Sequence, residues 1–177
     1  MKIAITGHTS GIGKSIADLY GSENVLGFSR SNGYDINSEE IIDKIIAESS
    51  SCDTFINNAF HSTSQSILLD RFFDTWKEDS SKTIVNIISR SRYGFGKAES
   101  YAKSKTELYL LACEKMFTPG RQCRIININP GYVNTNAVDH LRGNVKMMTP
   151  EHLAQMIKWC IDQPQGIEIG EFSVWRR

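Results

Sequence analysis

The chain has 177 residues, 40% of them hydrophobic, with 20 Lys+Arg balanced by 20 Asp+Glu, which suits one domain with a core of its own. Zero net charge gives no electrostatic reason to expect nucleic acid or an anionic membrane as a partner, and no apolar run approaches the roughly 18 residues of a membrane span. The four cysteines (Cys52, Cys113, Cys123, Cys160) form no C-x-x-C pair, which argues against a zinc ribbon or thioredoxin-type site and for reduced thiols of a cytoplasmic protein.

Short β-type runs alternate with helical segments along residues 1–177, the pattern of a single α/β domain with a parallel sheet. Ile3–Thr6 is the first strand, and MKIAITGH leads straight into a glycine loop rather than forming a signal peptide. Ile12, Ile16, Leu19 and Tyr20 recur at helical spacing, so a helix opens inside that loop. Asn24–Phe28 is the second strand. Ser38 caps a helix with Glu39 and Glu40 in its first turn and Ile41, Ile42, Ile45 and Ile46 on its apolar face. Thr54–Asn57 is a strand, Ile67–Lys77 a helix, Thr83–Ile88 a core strand, Glu99–Phe117 a long helix and Arg124–Ile128 a further strand. The loop 131–148 is either a lid over a site or a plain surface loop. Thr149 as N-cap and Pro150 at the first helical position open a helix through Ile161, and Glu171–Trp175 is the last strand.

Thr6-Gly7-His8-Thr9-Ser10-Gly11-Ile12-Gly13 lies between strand and helix. A pyrophosphate can approach only a backbone lacking Cβ atoms there, and N–H groups at the helix start then hold the anion. Gly13 lets the helix pack closely on the first strand. After the second strand a carboxylate would bind an adenosine ribose hydroxyl, whereas an arginine accommodates a 2′-phosphate. The chain reads Gly27-Phe28-Ser29-Arg30-Ser31, so Arg30, helped by Ser29, predicts NADP(H) over NAD(H). His8, within the loop, either approaches a phosphate or lies on the surface. The four histidines show no metal-binding spacing.

Tyr101 and Lys105 form Y-x-x-x-K, which places both on one helix face. A free phenol has a pKa near 10; a neighbouring ammonium and an oxidised nicotinamide would pull it toward neutrality. Ser89, at a strand end, offers a hydroxyl for a substrate carbonyl.

Together these segments resemble the short-chain dehydrogenase/reductase family. TGHTSGIG is similar to its TGxxxGxG cofactor loop, and Asp35-Ile36 to the acidic position that contacts adenine. Asn57-Asn58-Ala59-Phe60 resembles NNAG, and Ile84–Ser89 the serine-bearing strand. Tyr101–Lys105 resembles YxxSK, and Pro130-Gly131-Tyr132-Val133-Asn134-Thr135 resembles PGxVxT. The resemblance implies a three-layer, doubly wound Rossmann-type fold. It implies Tyr101 as general acid for carbonyl reduction, Ser89 stabilising the alkoxide, and Lys105 holding the ribose hydroxyls and lowering the Tyr101 pKa. It assigns Gly7, Thr9, Ser10, Gly11, Ile12, Gly13, Asn58, Ala59, Pro130, Gly131, Val133 and Thr135 to the cofactor, with Val133 and Thr135 orienting the carboxamide. A homodimer or homotetramer and a small carbonyl or alcohol substrate are also implied.

The departures concern compactness. Between Arg30 and Asp35 there is room only for a turn, so one family helix is missing, and Ile67–Lys77 stands where two segments are usual. The family's catalytic asparagine has no counterpart between Phe60 and Thr83; Gln65 and His61 are polar but match no motif. Phe60 replaces the glycine of NNAG and either crowds the nicotinamide side or fills core space. Trp175-Arg176-Arg177 either caps a neighbouring subunit or frays. An oxidoreductase is the leading reading, because a nucleotide-binding sensor, the competing class, needs none of Ser89, Tyr101 and Lys105. An extended-type sugar-nucleotide enzyme needs a C-terminal domain for which too few residues follow Thr135.

Overall fold

The computed structural model describes residues 1–94 and 99–177. In chain order the elements are β1 (Ile3–Thr6), α1 (Gly11–Tyr20), β2 (Val25–Phe28), α2 (Glu39–Glu48), β3 (Thr54–Asn57), α3 (Ser64–Trp76), β4 (Thr83–Ile87), α4 (Glu99–Met116), β5 (Arg124–Pro130), α5 (Pro150–Ile161) and β6 (Glu171–Val174). The strands form one parallel sheet in the order β2-β1-β3-β4-β5-β6. Near-continuous apolar runs such as Ile3-Ala4-Ile5 and Ile84-Val85 are what a sheet covered on both faces requires.

Two cores flank the sheet. On one face, Ile3, Ile5, Ile56, Val85, Ile126 and Ile128 pack with Ile16 of α1 and Leu153, Ile157 and Ile161 of α5. On the other, Ala4, Phe55, Ile84 and Ile125 pack with α2, α3 and α4, and the Phe55 and Phe72 rings stack 3.6 Å apart. This is the doubly wound α/β architecture expected from the sequence.

Element boundaries depart from expectation where tertiary pairing decides them. Ser22–Asn24 form a 3-10 turn, so β2 starts at Val25 rather than Asn24. β5 runs to Pro130 rather than Ile128 because Asn127–Pro130 pair with β6. The α3 helix starts at Ser64 rather than Ile67. Its first turn buries the polar Ser64 and Gln65, which a search for apolar periodicity passes over. Only a 3-10 turn, Arg30–Asn32, precedes α2 on leaving β2, and α3 is the single helix described between β3 and β4.

Candidate active site

The strand order reverses around β1, whose neighbours are β2 and β3. The carboxyl ends of strands at such a switch point form a crevice. Here the crevice is a cleft of about 1290 Å³. Every residue that the sequence assigns to catalysis or cofactor lines it, except Gly13.

Gly13 acts from behind. A Cβ there would lie 2.1 Å from the Gly7 carbonyl oxygen, so only glycine lets α1 start so close to the β1 turn. Gly11 has φ +53°, and a Cβ on it would meet the Thr135 methyl at 3.1 Å; the segment after β5 therefore leans onto the glycine loop. Thr6 fastens the loop to the Asn58-Ala59 segment. Its Oγ1 accepts from the Asn58 and Ala59 amides at 3.1 and 3.0 Å, and Asn58 Nδ2 donates to the Thr6 carbonyl at 3.0 Å. A diphosphate fits this cradle, which combines a backbone stripped of side chains with the first-turn N–H groups of α1. The His8 ring, of intermediate exposure, packs on Gly27, where a Cβ would come within 2.3 Å of it.

At the end of β2, Ser29 is nearly buried and its Oγ lies 2.8 Å from Ser31 Oγ. The Ser29 amide donates to Asn32 Oδ1 at 2.8 Å, which tightens the turn and leaves Arg30 exposed along the cleft. Asp35 and Ile36 follow on the same wall.

The end of the cleft that holds Ser89, Tyr101 and Lys105 is built by β4, α4 and α3. Ser89 caps the 3-10 turn Arg90–Tyr93, accepting from the Ser91 amide at 3.1 Å and lying 2.8 Å from Ser91 Oγ. Tyr101 and Lys105 come from one face of α4. Lys105 is 2% exposed, and its ammonium donates to Gln65 Oε1 at 2.5 Å and to the Ile87 carbonyl at 2.7 Å. Gln65 in turn donates from Nε2 to the Asn57 carbonyl at 2.8 Å. Gln65 is thus the residue that sequence reasoning left unassigned: it fixes the lysine from a helix 40 residues away in sequence. Behind it, Asn57, Asn86 and Asn127 form a buried ladder across three strands, with side-chain bonds of 3.1 Å at each step.

Two expectations bear on this end of the cleft. Burial raises the Tyr101 phenol above its ordinary value, and a hydrogen bond with Ser89 only partly offsets this. The Lys105 ammonium is directed onto Gln65 and lies 5.6 Å from the Tyr101 ring centre, so desolvation dominates in the cofactor-free cleft, whereas the downward shift expected from the ammonium and an oxidised nicotinamide together belongs to the loaded site. Ultraviolet difference titration of the cofactor-free protein against Tyr101→Phe should therefore find no phenolate from Tyr101 below about pH 10. An ionisation near neutrality would contradict this. Phe60, secondly, does not fill the core: it is 44% exposed, lines the cleft, and meets Tyr101 edge-on with centroids 4.8 Å apart.

The 131–148 segment contributes directly to the wall. Val133 bridges Met148, with the Asn134 amide bonded to the Met148 carbonyl at 2.8 Å, and 3-10 structure spans Asn136–Leu141. Trp175 lies on the cleft wall while 46% exposed. It packs where a Gly131 Cβ would be, 2.7 Å from its own Cβ, and beneath the Arg90 guanidinium at 3.9 Å.

No protein-family model matches the sequence, and no curated protein matches it. Solved structures do. The closed form of a serine dehydrogenase complexed with NADP+ is 16% identical, with a TM-score of 0.81 over 98% of this chain and 94% of that one. A 4-hydroxyisoleucine dehydrogenase complexed with NADH is 20% identical, with a TM-score of 0.80 over 98% and 97%. A short-chain dehydrogenase/reductase from Vibrio parahaemolyticus is 18% identical, with a TM-score of 0.78 over 99% of both chains. With its parallel sheet, its two helical layers and its cleft at the β1–β3 switch point, the chain has the fold of the short-chain dehydrogenases/reductases.

Proposed function

We propose that the protein is an NADP(H)-dependent oxidoreductase acting between a small carbonyl compound and its alcohol. The observation that carries this reading is the meeting of Ser89, Tyr101 and Lys105 with the glycine cradle in one cleft. The neighbours complexed with NADP+ and NADH support a nicotinamide cofactor. When bound, that cofactor supplies the hydride. The chain's own residues supply position and a proton. Tyr101, protonated at neutral pH, donates to the carbonyl oxygen, and the Ser89 hydroxyl steadies the developing negative charge. Lys105, held by Gln65, faces the ribose hydroxyls, while Val133 and Thr135 orient the carboxamide.

Arg30 carries the preference for the 2′-phosphate, with NAD(H) the weaker ligand. Arg30→Ala should weaken NADPH binding about tenfold or more, the worth of a charge-assisted bond, and leave NADH within about twofold. Equal effects on both cofactors would remove this assignment. Cys52, Cys113, Cys123 and Cys160 are all free thiols, which supports a cytoplasmic setting. Self-association as a dimer or tetramer is supported by α4, which exposes Leu110 at 60%, and by Phe117 just past its end, 83% exposed.

A further inference from the structure

We infer that the substrate carries an anionic group, a carboxylate or phosphate, bound by Arg90 and Arg176 with Lys146 at the reactive end of the cleft. The inference rests on the oxidoreductase reading, because it names the substrate class of that same site.

The first argument is charge. The protein as a whole is neutral, with 20 basic and 20 acidic side chains. The described cleft wall nevertheless has five basic side chains, Arg30, Arg90, Lys105, Lys146 and Arg176, against the single carboxylate of Asp35. Cofactor phosphates cannot account for all of them. Arg30 stands at the end of β2 and Arg176 just beyond β6, which are opposite edges of the sheet. Five strand spacings separate those edges, about 24 Å. Arg90, just beyond β4, is three spacings from the β2 edge, about 14 Å, so a 2′-phosphate at Arg30 accounts for neither Arg90 nor Arg176.

The second argument is how the charges are held. The turn Arg90–Tyr93 sends its two arginines to different places. Arg92 is neutralised by Glu171 at 2.6 Å and lies over the Tyr109 ring at 3.5 Å. Arg90 instead sets its guanidinium carbon 3.9 Å from the centre of the Trp175 ring, beside Ser89 in sequence and on the cleft wall. An aromatic face orients a guanidinium without consuming its N–H donors. Arg176 is tethered by a bond from its guanidinium to the Met147 carbonyl at 3.3 Å, next to Lys146. Among the described residues, none of Arg90, Lys146 and Arg176 is ion-paired with a carboxylate, whereas Arg92, Arg121 and Lys115 are. The fork of Arg90 is thus oriented and its charge unspent, which is the arrangement that receives a planar carboxylate or a phosphate.

The test uses malonate and inorganic phosphate as probes, titrated by calorimetry into the NADP+-loaded protein and into Arg90→Gln/Arg176→Gln. The expected result is saturable binding of at least one probe, weakened about tenfold or more in the double variant, with NADP+ affinity unchanged. The probe that binds more tightly tells carboxylate from phosphate. Keto acids and their methyl esters (pyruvate, acetoacetate, levulinate) supply a second readout, with the acids expected to be turned over preferentially and the preference lost in the variant. Absence of binding by both probes, equal binding by wild type and variant, or preference for the esters would overturn the inference. Failure of NADP+ to bind would instead strike the oxidoreductase reading, and the same probes on the cofactor-free protein would still decide the anion site.

Discussion

Replacing Tyr101 with phenylalanine should lower kcat by about 10²–10⁴-fold while NADPH affinity stays within about twofold, because only a proton donor is lost. The variant keeps its packing. The ring that remains still meets Phe60 edge-on at 4.8 Å, and Lys105 is held by Gln65 Oε1 and the Ile87 carbonyl. Steady-state kinetics beside a thermal melt separate the two effects: unchanged melting with collapsed turnover is the expected pair. Turnover equal to wild type would exclude Tyr101 as the acid.

Gln65→Leu should cost about 2–3 kcal/mol of stability, since it strips a buried ammonium of one of its acceptors. The Asn57 carbonyl loses its donor from Gln65 in the same step. With Lys105 no longer fixed, kcat should fall about tenfold or more at saturating cofactor. Gln65→Glu restores an acceptor for the ammonium and should recover much of the lost turnover, which a purely structural role for the glutamine would not require. Urea denaturation gives the first quantity and the pH profile of kcat the second. Wild-type stability and an unchanged profile in Gln65→Leu would show that Lys105 does not depend on it.

The parts of this site that could be read from sequence are those confined to one turn or one helix. Gly7, Gly11 and Gly13 sit at a strand-to-helix junction, and Tyr101 and Lys105 are one helical turn apart, so local spacing already implies their neighbourhood. What escaped depends on sheet register or chain return. Gln65 meets Lys105 only because β3 and β4 pair side by side beneath α3 and α4. The Asn57–Asn86–Asn127 ladder exists because those residues are register partners. Trp175 reaches the cleft because β6 pairs with β5 through Pro130 and Val174, a contact between segments distant in sequence. The Tyr101 pKa escaped for a different reason. Its direction follows from desolvation competing with a charge, and the direction taken by the Lys105 side chain decides which is larger.

Hydride exchange in this cleft leaves an isotopic trace that can be followed from cofactor to product. The protein is incubated with NADPH deuterated at the transferring position of the nicotinamide and with a panel of keto acids, ketones and aldehydes. Deuterium should appear on the former carbonyl carbon of at least one product, foremost a keto acid, and be lost in Tyr101→Phe. Tight NADPH binding with no label passed to any compound would contradict it and leave a protein that senses the reduced cofactor.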